Sequence, residues 1–65
     1  MQQFSIICDY ALDGKELQKK LYARKLKYTV DFLHTHRRKT ANFIIEANTI
    51  EDIAFLTLLR NWYHS

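Results

Sequence analysis

Residues 50–63 set the hardest condition on what this chain can fold into. Wound at about 100° per residue, Ile50, Ile53, Ala54, Phe55, Leu56, Leu58, Leu59, Trp62 and Tyr63 fall at nearly every angle around a helix axis. Only Glu51, Asp52, Thr57, Arg60 and Asn61 interrupt them. A helix that is apolar all round has to be covered all round. The whole chain has 65 residues, so little sequence is left to do the covering. A chain this short buries only about 60% of its unfolded surface and commonly needs a staple. Its single cysteine, Cys8, excludes an internal disulfide and a cysteine-rich zinc site, which take at least two thiolates. Self-association is the remaining common staple. A homo-oligomer is therefore expected, with Phe55, Leu59, Trp62 and Tyr63 as its interface anchors.

The rest of the chain divides into four segments. Residues 3–10 read as a strand with Phe4, Ile6, Cys8 and Tyr10 on one face. Asp13 then suits the N-cap of a first helix. Glu16 three residues on completes a capping box, and Leu12 with Leu17 forms a hydrophobic staple. Leu17, Leu21 and Tyr22 make the buried stripe of that helix, and it should stop near Arg24 or Lys25, where cations suit a helix C-terminus. Residues 26–36 alternate as a half-buried strand, with Leu26, Tyr28, Val30, Phe32, His34 and His36 on one face. Arg37, Arg38 and Lys39 read as a turn. Residues 40–47 are a third strand with Phe43, Ile45 and Ala47 on one face. Thr49 with Asp52 caps the last helix.

The element order is β-α-β-β-α, a small single α+β domain over residues 1–65. It resembles the split β-α-β, ferredoxin-like arrangement lacking its fourth strand. That resemblance implies a three-stranded, mainly antiparallel sheet with two helices on one face. The strand order is expected to be 1-3-2, with 1-2-3 left open.

Charge is distributed unevenly. Residues 14–39 hold nine Lys or Arg against Glu16 and Asp31, within a chain of net charge +3. Such a block suits nucleic acid or an acidic protein surface. The candidate contacts are Lys15, Lys19, Lys20 and Arg24 on the first helix, and His34, His36, Arg37, Arg38 and Lys39 at the hairpin tip. Arginine makes bidentate phosphate contacts, and Tyr22 and Tyr28 offer stacking surfaces beside the cations. RNA is preferred over duplex DNA, because no helix is both basic and capped to read a groove.

Other chemistries find little support. One glycine, Gly14, cannot build a phosphate-cradling loop. His34 and His36 share a strand face, but a metal needs a third ligand, and only Asp9, Asp31 and His64 are at hand; neither a metal nor a cofactor is implied. Asp9 after the apolar run 4–8 resembles the first strand of VapD-type small ribonucleases and their CRISPR-associated counterparts, which implies a ribonuclease as a third reading. The second reading is a protein-binding inhibitor or antitoxin-like protein, similar in size to small phage-encoded inhibitors of host enzymes. The first is a non-enzymatic RNA-binding module. No membrane span or signal peptide is read, so a cytoplasmic location is expected.

Overall fold

The computed structural model describes residues 2–35 and 38–64, and the side chains of all of these except 34, 35 and 38. Strand β1 (Gln2–Asp9) leads through a wide, π-type turn (Tyr10–Gly14) into helix α1 (Lys15–Ala23). Strands β2 (Tyr28–Thr35) and β3 (Arg38–Ala47) follow, and helix α2 (Ile50–His64) ends the fold. The sheet order is β1-β3-β2, and both pairings are antiparallel. The central strand is thus the last to arrive. β3 sets Phe43 between Ile6 of β1 and Val30 of β2, and Ile45 between Phe4 and Tyr28.

Period-two alternation decides which face is buried. Phe4, Ile6 and Cys8 of β1 point the same way as Ala41, Phe43, Ile45 and Ala47 of β3. Leu17 and Leu21 of α1 and Leu56 and Leu59 of α2 close over them in one apolar cluster. Both helices therefore lie on one face of the sheet, as the split β-α-β order requires. The opposite face has no helix and exposes Ile7 and Leu33.

The first helical turns depart from the expected capping. The chain coils directly after β1, so the cap is Asp9 and not Asp13. Ala11 N–H and Leu12 N–H both donate to Asp9 Oδ1, at 3.0 and 3.3 Å. The acid nearest the strand end meets the first unpaired amides and satisfies them. Asp13 is left inside the turn, and Leu12 is 78% exposed, so no staple forms. Tyr10, expected on the strand, turns back over Gly14. A Cβ at that glycine would lie 2.7 Å from Tyr10 Cδ1, so the fold of the ring depends on a residue without one.

At its other end α1 stops where expected. Leu26 N–H donates to Leu21 O and Lys25 N–H to Tyr22 O, at 3.1 and 3.0 Å, with Lys25 at φ 56°. This is a Schellman closure with lysine where glycine is usual. It consumes the Leu26 amide, which explains why β2 begins at Tyr28 and not at Leu26. Tyr22 is 84% exposed and lies outside the buried stripe. β3 begins two residues earlier than expected, so Arg38 and Lys39 belong to a strand rather than a turn.

The cap of α2 matches its sequence signature. Asp52 N–H donates to Thr49 Oγ1 at 3.1 Å. Thr49→Ala is expected to lower stability by about 1 kcal/mol, read as a shifted urea midpoint at unchanged slope.

Candidate binding surface

Two coverings account for part of the apolar circumference of α2, and the rest is exposed. Leu56 and Leu59 enter the core, which places Leu59 inside the chain rather than on an interface. Phe55 and Tyr63 are half-buried, and cations of α1 and its C-cap lie over them. Arg24 stacks on the Phe55 ring at 4.4 Å, and Lys20 on the Tyr63 ring at 5.5 Å. Lys20 also pairs with Glu16 at 2.9 Å. Arg60 lies 5.2 Å from the Phe4 ring. Trp62, at 71% exposure, is the one proposed anchor on the outer side of α2.

These ring contacts divide the basic block. A cation over an aromatic face gains from the ring quadrupole and covers apolar surface with its stem. Lys20 and Arg24 therefore join the two helices, which few backbone contacts hold together. Lys39 does the same at the sheet end, lying 4.4 Å from the Phe32 ring and 5.1 Å from the Tyr10 ring. Those two rings meet edge to face at 5.0 Å. The side chains of His34 and Arg38, and residues His36 and Arg37, lie outside the described residues.

Among the described residues, Lys15, Lys19, Lys25 and Lys27 are exposed and make no ion pair or ring contact. Two of them line one shallow depression of the surface. Lys15, Gln18, Lys19 and Tyr22 of α1 face Tyr28 of β2 across a shallow groove of about 380 Å³. Positions 15, 19 and 22 follow helical spacing, so two ammonium groups and a phenol stand in one row. Tyr28 is half-buried and held by the Phe43 ring, 5.8 Å away, so it forms a firm wall. Lys25 and Lys27 continue the positive charge past the end of α1. A second hollow, about 590 Å³, opens at the start of β2, where Leu26 and Tyr28 meet the bare-face residues Gln3, Lys27, Thr29, Ile44 and Glu46. Among the described side chains, the bare sheet face carries Asp9, Asp31 and Glu46 against Lys27, so it suits phosphate less well than the α1 groove.

Asp9, the residue behind the ribonuclease resemblance, spends one carboxylate oxygen on capping. His64 accepts the Ile7 amide on Nε2 at 3.1 Å. Among the described residues no three of His, Cys, Asp and Glu gather in one place. Cys8 is 7% exposed. Burial, then the charges of Asp13 and Asp9, push its thiol up to about 11 from 9.0. Tyr63 is also raised, chiefly by burial, and Lys20 is raised, chiefly by its bond to Glu16. Unfolding lets Cys8 and Tyr63 ionise earlier and frees Lys20 to lose its proton, so all three weaken the fold as pH rises. Stability is expected to hold to about pH 9 and then fall by up to about 2–3 kcal/mol towards pH 11, measured by urea titration at each pH.

No known protein family matches the chain, and no curated protein or solved structure resembles it. Among the described residues no helix is long and apolar enough to cross a membrane.

Proposed function

We propose that this chain is an RNA-binding module that holds a single strand along the groove between α1 and β2. The supporting observation is the row Lys15, Lys19 and Tyr22 facing Tyr28. Single-strand binding combines cations that track the backbone with aromatic faces on which bases stack. Lys15 and Lys19, one helical turn apart, supply the first. Tyr22, 84% exposed, supplies the second at small cost in desolvation. The reading needs no catalytic group and no cofactor.

The test is fluorescence anisotropy with a labelled single-stranded RNA and its duplex, at about 50 and about 200 mM salt. Preferred binding of the single strand is expected, weakened roughly twentyfold by the salt if about three phosphates are held. Salt-insensitive binding, or none, sinks the reading. The competing class is a protein-binding inhibitor or antitoxin-like protein. It gains support from the bare sheet face, where Ile7 and Leu33 are 44% and 46% exposed. Such a protein would purify without nucleic acid and show no affinity for either RNA.

A further inference from the structure

We propose that α2 pairs with α2 of a second copy of this chain, antiparallel and crossing level with position 56. The inference is independent of the RNA reading. Apart from the terminal His64, six residues of α2 are exposed: Ile50, Glu51, Ala54, Leu58, Asn61 and Trp62. Ile50, Leu58 and Trp62 are 84%, 72% and 71% exposed. At about 100° per residue all six fall within about 120° of one another, so they form one continuous outer face.

The face is self-complementary. Its residues stand two, five and six positions to either side of position 56. A two-fold axis there is isologous, so each contact occurs twice. Ala54 meets Leu58 of the second copy, a small residue under a large one. Ile50 meets Trp62 and supplies an aliphatic seat for the ring. Glu51, the one formal charge on the face, meets Asn61, whose amide N–H can donate to the carboxylate. A parallel pair would instead set Glu51 against Glu51 and Trp62 against Trp62.

Charge favours the same direction. Glu51 and Asp52 stand in the first turn of α2 and His64 in the last. An antiparallel copy opposes the helix dipoles and keeps the two acidic first turns apart. The bare sheet face is the rival surface for a second copy, but among its described side chains the acids Asp9, Asp31 and Glu46 outnumber Lys27.

The six side chains offer on the order of 500 Å² per copy, below the ~800 Å² of a standard interface. The dimer is therefore expected to dissociate at roughly 10–100 μM and to shift with dilution. Sedimentation equilibrium measures this directly. A monomer at all concentrations up to about 500 μM overturns the proposal. Register is tested by mixing Ala54→Cys chains with Leu58→Cys chains under mild oxidation. Cys8 is buried, so it does not compete. Mixed disulfide dimers are expected in about tenfold excess over either self-dimer. Equal self-dimers mean another register or interface and overturn the assignment. Leu58→Glu lies on the surface and should keep the far-ultraviolet circular dichroism spectrum while sedimenting as a monomer. A Leu58→Glu chain that still dimerises also overturns it.

Discussion

Phe43→Ala is expected to leave the chain largely unfolded at 25 °C. Phe43 is fully buried on the central strand, where Ile6 and Val30 flank it on either side. Truncating a buried Phe costs about 3–5 kcal/mol, combining lost transfer energy with the cavity left behind. A folded chain of this length has about 3–10 kcal/mol in total, at roughly 0.05–0.15 per residue. The cavity also cannot collapse readily. Ile6 and Val30 flank it, and it belongs to one cluster with ten other core residues drawn from β1, β3, α1 and α2, which hold the surrounding elements in place. Circular dichroism and urea titration provide the measurement. The control is Leu33→Ala on the bare face of β2, 46% exposed, which should change stability by less than about 0.5 kcal/mol. If Phe43→Ala melts within a few degrees of the unaltered protein, the core is misplaced.

The second large effect is on binding. Lys15→Glu with Lys19→Glu should weaken single-stranded RNA binding at least thirtyfold, about 2 kcal/mol, with little change in melting. Both residues are exposed and without a partner among the described residues, so their reversal leaves the fold alone. Lys20→Ala with Arg24→Ala removes the same number of cations from the same helix and its C-cap. Those two side chains lie over Tyr63 and Phe55, so this pair should lower stability by about 1–2 kcal/mol and affect binding less. The crossed outcome, with Lys20 and Arg24 governing affinity, would move the interface off the groove.

What the sequence revealed and what it hid have separate physical causes. β3 was legible because it lies between two strands and buries one face along most of its length, so alternation survives undiluted in Ala41, Phe43, Ile45 and Ala47. Thr49 was legible because its cap is a local bond three residues long. Asp13 misled because two aspartates stand four residues apart and either can cap. The choice fell to Asp9 through the position where β1 ends, which pairing with β3 decides. The covering of α2 was hidden for a related reason. Hydropathy treats Lys20, Arg24 and Lys39 as solvent-facing, yet each lies across a ring contributed by another segment. The groove was partly visible: the 15, 19, 22 spacing can be read from the chain, but its far wall, Tyr28, comes from the strand that follows.

The bond from the Ile7 amide to His64 has a consequence for how the sheet ends. β1 is a border strand, and the outward main chain of Gln3, Ser5, Ile7 and Asp9 is a template on which a foreign strand could grow. A fourth strand would normally occupy that row. Here one imidazole, carried on the last turn of α2, takes the Ile7 amide of that row. The β1 border is thus interrupted by a side-chain plug in place of another strand, and that interruption depends on the final helical turn remaining wound.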